Sequence, residues 1–118
     1  MNESYTYYVK VERVVDGDTI DAKVFMGFGL TQLIRFRLIA ENHDYFDTPE
    51  SWRPKTEAER EHGEAATARA KELLEGKTFL IKSIKRGKYR YVCKIVLEDG
   101  SDYGDNMINE GFLKRDSY

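Results

Sequence analysis

The stretch YYVKVERVVDGDTIDAKVFM, residues Tyr7–Met26, decides the fold. Apolar and polar residues alternate in its first half and again in its second half, which is typical of strands with one buried face. The Asp-Gly-Asp between the halves is a turn signal. The stretch therefore predicts two strands, Tyr7–Val15 and Ile20–Met26. The residues expected to face the core are Val9, Val11, Val14, Ile20, Ala22, Val24 and Met26.

Similar patterns continue outward from this stretch. Alternation predicts a third strand at Ile34–Leu38, a fourth at Phe79–Ile84 and a fifth at Arg90–Leu97. Asp99-Gly100 is a tight-turn signal, and a short second helix is expected around Asp105–Glu110.

The main helix is predicted between the third and fourth strands. Thr56-Glu57-Ala58-Glu59 matches a capping box, in which Thr56 accepts from the third helical amide and Glu59 reaches back to the Thr56 N–H. Gly76 is placed to end the helix. The stripe expected to face the core consists of Ala66, Ala70, Leu73 and Leu74.

Three strands, a helix, two strands and a short helix form the order that a small Greek-key barrel requires. We therefore predict a mainly β fold with α (α+β): a five-stranded OB-fold barrel with one main helix and a short C-terminal helix. One domain is expected over residues 1–118, because a chain of this length builds one core.

Composition excludes several classes of protein. The chain is 41% hydrophobic and 13% aromatic, which is too apolar for a disordered tail. A single cysteine, Cys93, rules out an internal disulfide, and one Cys with two His argues against a structural zinc site. No apolar run approaches a membrane span, and the first eight residues lack the pattern of a signal peptide. We therefore expect no membrane partner and a cytoplasmic monomer, with a processed secreted form as the alternative.

Charge is unevenly distributed. The formal net charge of −2 argues against a nucleic-acid binder, yet Lys77–Lys94 carries seven basic residues and no acidic one. Such a segment suits a phosphate ligand. For a basic run taken alone, a strand pair with lysines on its solvated face is the more common explanation.

Two short carboxylate clusters stand out, Asp16-Gly17-Asp18-Thr19 and Asp47-Thr48-Pro49-Glu50. Hard divalent cations take carboxylate, carbonyl and water oxygens, so the two clusters together could form an open metal site. Glu50 could hold or deprotonate a water there. Arg37 and Arg90 could bind a phosphate through their planar forks. Taken singly, each cluster is more typical of an ordinary turn or loop.

The order of these motifs carries a resemblance. The strings VVDGDTI, FRL, DTPE and KYRY, with the Ala-rich helix between the last two, resemble the staphylococcal nuclease (thermonuclease) family from about Val9 to Leu113. The resemblance implies an OB-fold, calcium-dependent phosphodiesterase that acts on DNA and RNA with little sequence preference. Magnesium or another divalent ion is the alternative cofactor. By position, the resemblance implies metal ligation by Asp18, Asp47 and the Thr48 carbonyl, a general base at Glu50, and phosphate clamps at Arg37 and Arg90.

The sequence departs from the family pattern in three places. Nine residues, Leu38–Phe46, separate Arg37 from Asp47, which is more than the family has there. An ungapped alignment would put Asn42 and His43 at the ligand positions, and the segment from Asn42 to Asp44 could supply a substitute ligand. We prefer the gapped alignment because Asp-Thr-Pro-Glu is intact. In addition, Tyr89 replaces a glycine before Arg90, and Gly104 replaces an asparagine.

Three hypotheses follow. The first is a metal-dependent, largely nonspecific endonuclease with DNA and/or RNA as substrate, in which Tyr89, Tyr91 or Tyr103 could stack on a base. The second is a catalytically impaired OB-fold module that binds nucleic acid through Lys77–Lys94. The third is a protein-interaction domain that keeps only the scaffold.

Overall fold

The computed structural model describes residues 5–43, 46–49, 54–86 and 91–115. These residues form five strands and two helices. In chain order they are β1 (Tyr5–Asp16), β2 (Thr19–Gly27), β3 (Leu30–Leu38), α1 (Glu57–Leu74), β4 (Thr78–Arg86), β5 (Tyr91–Val96) and α2 (Tyr103–Asn109).

The strands close into a barrel in the order β1-β2-β3-β5-β4. Neighbouring strands are antiparallel except β3 and β5, which run parallel over Phe36–Leu38. The first strand closes the barrel because it pairs with β4 along its N-terminal half and with β2 along its C-terminal half. This architecture confirms the predicted five-stranded barrel with two helices and is consistent with an OB-fold.

The strict alternation of β1 is interrupted by a register shift between Val11 and Arg13. A bulge of this kind inserts one residue and so changes which face the following side chains occupy. Val9, Val11 and Val14 are all buried as predicted, although their spacing is not uniform.

The hairpin of β2 and β3 is longer than the sequence predicts. β3 begins at Leu30 rather than Ile34, and Met26 is exposed although the alternation assigns it to the core. The reason is that β1 pairs with β2 only as far as Val24, so Met26 and the turn after it extend beyond the core.

Helix α1 follows the predicted pattern on its buried side. Thr56 is the N-cap, and its hydroxyl oxygen accepts from the Glu59 amide at 3.1 Å. The buried stripe includes Ala66, Ala70 and Leu74, and α1 packs on β1. Beyond the helix, Gly76 adopts a φ of +78° and donates to the Val11 carbonyl, which ties the helix end to the barrel.

The second half of the predicted capping box is wrong. Glu59 is buried, and its Oε1 has no hydrogen-bond partner in the part of the chain that the structure describes. The carboxylate instead faces Lys114, whose Nζ lies 3.8 Å away. Tertiary position therefore overrides the local motif.

Helix α2 begins earlier than predicted, at Tyr103 instead of Asp105. Asp102 is its N-cap and accepts from the Asp105 amide at 2.9 Å. Gly104 lies so close to the preceding loop that a Cβ would be 2.7 Å from the Ala40 Cα. This close approach is a physical reason for glycine at position 104.

Neither described helix combines the length and the apolar character that crossing a bilayer would require.

Candidate active site

The turn between β1 and β2 brings an acidic side chain into the protein. Asp18 follows Gly17 directly and is buried, while its amide donates to Asp16 Oδ1 at 3.1 Å. The Thr19 hydroxyl lies 3.1 Å from Asp18 Oδ1 and donates to it. The predicted turn is thus also the element that fixes the direction of the Asp18 side chain.

Arg37 reaches this turn from β3. Thr19 and Arg37 are register partners of the β2–β3 ladder, which puts the arginine beside the start of β2. Its Nη1 lies 2.9 Å from Asp18 Oδ2. Its Nη2 donates to the Phe46 carbonyl at 2.7 Å and lies 3.5 Å from Asp47 Oδ1. One guanidinium therefore joins two aspartates that are distant in sequence.

The loop containing Asp47 and Thr48 is held against the same turn. The Thr48 amide donates to Asp18 Oδ2 at 3.0 Å, and Thr48 is buried. The backbone of Asp47 accepts from the Lys114 amide at 2.7 Å. The structure thus brings together four of the six predicted site residues: Asp18, Arg37, Asp47 and Thr48.

The segment that an ungapped alignment would place at the metal site lies elsewhere. The Asn42 amide and side chain both donate to the Asp105 carboxylate, and His43 Nδ1 lies 3.0 Å from Asp105 Oδ1. Asn42 and His43 therefore contact the α2 segment and not Asp18. The positions of Asp47 and Thr48 favour the gapped alignment.

The prediction that Tyr103 stacks on a base is wrong. The ring is fully buried and its hydroxyl donates to the Gly17 carbonyl at 2.6 Å. Burial raises the pKa of Tyr103, and the charges of Asp18 and Asp16 act in the same direction. The hydroxyl therefore stays protonated and holds the turn in place. Sequence reasoning missed this tether because it joins residues at opposite ends of the chain.

Electrostatics at Asp18 are dominated by its burial, which raises the pKa of that carboxyl above its usual range. A hydrogen bond with Asp16 and the charge of Asp16 raise it further, whereas Arg37 and the Thr48 amide lower it. Because Asp18 is buried and lies beside the carboxylate of Asp16, its ionised form needs a positive charge nearby to stabilise it. In this structure the Arg37 guanidinium supplies that charge.

Three predicted residues lie outside the described residues: Glu50, Arg90 and the stacking candidate Tyr89. Their roles stay predictions. Tyr91 is partly exposed and makes an edge contact with Phe36, with ring centroids 6.3 Å apart.

Two lysines in the described part of the basic segment Lys77–Lys94 already have partners within the chain. Lys94 Nζ lies 3.0 Å from Glu41 Oε2, and Lys77 Nζ donates to the Glu72 carbonyl at 2.9 Å. Lys82 and Lys94 line a cavity of about 420 Å³ together with Asp102 and Asp105. In its described part the segment therefore forms a surface of mixed charge.

The donors of this site are of the kind that a hard divalent cation takes, namely carboxylate and backbone oxygens. Within the described ranges, no three His, Cys, Asp or Glu side chains are grouped as metal ligands. An ion here would therefore depend on two aspartates, a carbonyl and water. This donor set is the one that the resemblance implies, and it stays a prediction.

Together these features define the class of protein: a closed five-stranded barrel, consistent with an OB-fold, with a charged site where β1, β2, β3 and a connecting loop meet. A sequence model described as staphylococcal nuclease homologue matches residues 44–116, more than half of the chain. The chain belongs to the staphylococcal nuclease homologue family, which suggests a nuclease-like or nucleic-acid-binding function. A search of curated proteins finds no match.

The family match begins after Asp18 and Arg37 in the chain. These two residues are joined to the matched region by their contacts with Phe46, Asp47 and Thr48. The geometry therefore extends the candidate site to a part of the chain that the match does not cover.

Proposed function

We propose that this chain is a metal-dependent nuclease that hydrolyses the phosphodiester bonds of DNA and/or RNA with little sequence preference. The observation that carries the proposal is the contact of the Arg37 guanidinium with both Asp18 and Asp47. The turn that carries Asp18 is fixed by the hydrogen bond from the Tyr103 hydroxyl to the Gly17 carbonyl. Surface ion pairs are commonly exposed and isolated, whereas this one is built on a buried carboxylate.

Asp18, Asp47 and the Thr48 carbonyl would hold the cation. Calcium is the expected ion, and magnesium or another divalent ion suits the same oxygen donors. When bound, such an ion supplies positive charge that stabilises the negative charge building on the phosphate oxygens in the transition state.

Arg37 would act directly on the phosphate. Its planar fork can donate two parallel hydrogen bonds to phosphate oxygens, as it now does to carboxylate and carbonyl oxygens. The contact with Asp47 is the longer of its two ion pairs, at 3.5 Å. We therefore expect Arg37 to give up its contact with Asp47 when it binds the phosphate and to retain its ion pair with Asp18.

Glu50 and Arg90 complete the proposed machinery on the strength of the resemblance. Glu50 would accept a proton from the attacking water, and Arg90 would donate to the phosphate. The ion pair of Lys94 with Glu41 makes that lysine less able to bind a phosphate backbone, as a purely electrostatic binding module would require.

The test compares Asp18→Asn with Asp21→Asn. Asp21 belongs to the same hairpin and pairs with Arg35 at 2.7 Å, but that pair lies on the exposed face. Plasmid DNA and single-stranded RNA are incubated with each variant in calcium, in magnesium and in excess chelator. Because the loss of cation stabilisation amounts to several kcal/mol, Asp18→Asn should cut at least about 100-fold more slowly.

Asp21→Asn should cut like the unchanged chain, and circular dichroism should show both variants folded. An unchanged chain that cuts neither substrate with any of the ions contradicts the proposal. Salt-sensitive binding without cutting would indicate the nucleic-acid-binding module instead. A chain that neither binds nor cuts nucleic acid would indicate the protein-interaction domain.

A further inference from the structure

The carboxylate of Glu59 is buried in α1 without the partner that its position predicts. The residue lies in the first turn of the helix and is 3% exposed. Its Oε1 has no hydrogen-bond partner among the described residues. Burying an ionised carboxylate is costly unless an opposite charge lies close to it. The burial of Glu59 therefore requires a positive group from another part of the chain.

That positive group is the ammonium of Lys114. Its Nζ lies 3.8 Å from Glu59 Oε1, and the lysine side chain is 28% exposed. The exposed ion pair of Arg60 with Glu57, in the same turn of the helix, is much more open to water. The attraction between two charges is stronger where water is excluded. Glu59 therefore holds the Lys114 side chain against α1 more firmly than a surface ion pair would.

The backbone of Lys114 contacts the candidate site. Its amide donates to the Asp47 carbonyl at 2.7 Å. The Asp47 carboxylate lies 3.5 Å from Arg37, and the next amide in the loop, that of Thr48, donates to Asp18 at 3.0 Å. One residue therefore connects the buried charge of α1 with the loop that carries a proposed metal ligand.

The chain at the end of α2 runs along α1 before it reaches this loop. Arg69 Nε lies 2.8 Å from Glu110 Oε1, and His62 Nε2 donates to the Gly111 carbonyl at 2.7 Å. Each later residue of the segment thus meets an earlier residue of α1, and the ion pair described above continues this series. We call residues 110–114 the strap.

We propose that Glu59 and Lys114 are positioning residues for Asp47. The buried carboxylate attracts the end of the strap to α1, and the strap amide then fixes the Asp47 loop against the turn that carries Asp18. The inference rests on the proposed function only in taking Asp47 as a metal ligand. A ligand that the fold already holds in place binds an ion more tightly, because less conformational freedom is lost on binding.

The test compares Glu59→Gln with Glu110→Gln. Glutamine keeps the size of the buried side chain and removes its charge, so Glu59→Gln should loosen the strap end without leaving a cavity. Glu110→Gln is the matched control, because it removes a more exposed ion pair between the same two segments, four residues before Lys114.

Amide hydrogen exchange, followed by NMR, measures the placement of the loop without reference to activity. In Glu59→Gln the amides of Lys114 and Thr48 should exchange at least about 5-fold faster relative to the amide of Val11. Val11 donates to the Lys77 carbonyl and reports on the fold as a whole. Glu110→Gln should leave these ratios unchanged, because its ion pair does not hold the strap end.

Calcium binding, measured by titration calorimetry, reports the same placement at the site. Glu59→Gln should bind calcium about 10-fold more weakly, as is typical when a group that orients a metal ligand is removed. Lys114→Met should weaken binding similarly, and Lys114→Arg, which keeps the charge, should weaken it less. In plasmid cleavage, Glu59→Gln should raise the calcium concentration for half-maximal rate more than it lowers the rate at saturating calcium.

The proposal is overturned if Glu59→Gln has the exchange ratios and the calcium affinity of the unchanged chain. An equal loss in Glu110→Gln also overturns it, because the effect would then not depend on the buried charge. An unchanged chain that cuts no nucleic acid contradicts the proposed function instead. In that case the exchange ratios of Lys114 and Thr48 still decide whether Glu59 positions the loop.

Discussion

Gly17 lies between the two aspartates of the β1–β2 turn, against the side chain of Thr48. A Cβ at this position would be 2.6 Å from Thr48 Cγ2 and 2.9 Å from both Thr48 Cβ and Oγ1. The glycine is thus required by a close approach between the turn and the loop that carries Asp47. The same approach lets the Thr48 amide reach Asp18.

Gly17→Ala should therefore separate the turn from the loop. Overpacking of this kind typically costs about 1–3 kcal/mol in the free energy of unfolding. Because the Thr48 amide would move from Asp18, the proposed nuclease activity should fall as well. Urea denaturation and plasmid cleavage measure the two effects.

Thr48→Ser provides the matched control, because it removes Cγ2, the atom closest to the added methyl. The double variant Gly17→Ala with Thr48→Ser should recover part of the lost stability. Equal losses in the single and double variants would contradict the steric explanation.

At this scale, the sequence predicts the short-range members of the site better than the long-range ones. Asp18 could be placed at a turn and Arg37 on a polar strand face from local pattern alone. The contacts of Tyr103 with Gly17 and of Asn42 with Asp105 could not be predicted, because they join segments that no local pattern relates.

Helix α1 has one threonine as its N-cap and another in its interior, and the two have opposite energetic roles. The hydroxyl of Thr56 caps the helix, whereas Thr67 Oγ1 is buried and has no hydrogen-bond partner within the described residues. A capping oxygen stabilises a helix, and a buried hydroxyl without a partner destabilises the fold.

Thr56→Ala should lower the free energy of unfolding by about 1 kcal/mol, since it exposes an amide that the cap satisfies. Thr67→Ala in the same helix should leave the stability unchanged or raise it, because alanine is the better helix former. Thermal and urea denaturation of the two variants give the comparison. A larger loss for Thr67→Ala than for Thr56→Ala would contradict it.

Helix α2 carries a pH-dependent group at its N-cap. Burial raises the pKa of Asp102, although the amides of Asp105 and Glu41 donate to it and act in the opposite direction. A carboxyl with a raised pKa binds its proton more tightly in the folded chain. Its ionisation therefore reduces stability as the pH rises through the interval between the unfolded and folded pKa values.

Asp102→Asn should remove this loss while keeping an oxygen for both amides. The variant should gain stability relative to the unchanged chain as the pH rises from about 3 to about 7. Asp99→Asn is the control, and it should lose stability relative to the unchanged chain over the same pH range, because hydrogen bonds from Ser101 lower the pKa of Asp99. If the free energy of unfolding of Asp102→Asn and of the unchanged chain changed with pH in parallel, the raised pKa of Asp102 would be contradicted.

At the scale of elements, the sequence predicts which strands and helices exist but not where they end. The hairpin of β2 and β3 exceeds its predicted length because strand pairing with a neighbour continues where burial stops. The start of α2 was missed because the cap signal at Asp102 lies three residues before the predicted start.

The whole molecule is 47 Å long and 31 Å wide in the other two directions. Its candidate site lies at the base of the β2–β3 hairpin, and the exposed apolar side chains of Phe28 and Leu30 lie at the tip.

The thiol of Cys93 reports on the integrity of the barrel as a whole. It is fully buried on β5, and burial raises its pKa well above the usual value. We expect a thiol reagent such as dithionitrobenzoate to leave it unmodified in the native chain, because only an exposed thiolate reacts. The labelling rate should rise in urea along with the unfolded fraction. Stoichiometric labelling within the mixing time in native buffer would contradict the closed barrel.

The tether from Tyr103 to Gly17 has a consequence for biosynthesis. Gly17 and Asp18 leave the ribosome long before the tyrosine that secures their turn, because 86 positions separate Gly17 from Tyr103. The proposed nuclease site would therefore stay incomplete beside the messenger RNA until Tyr103 has emerged.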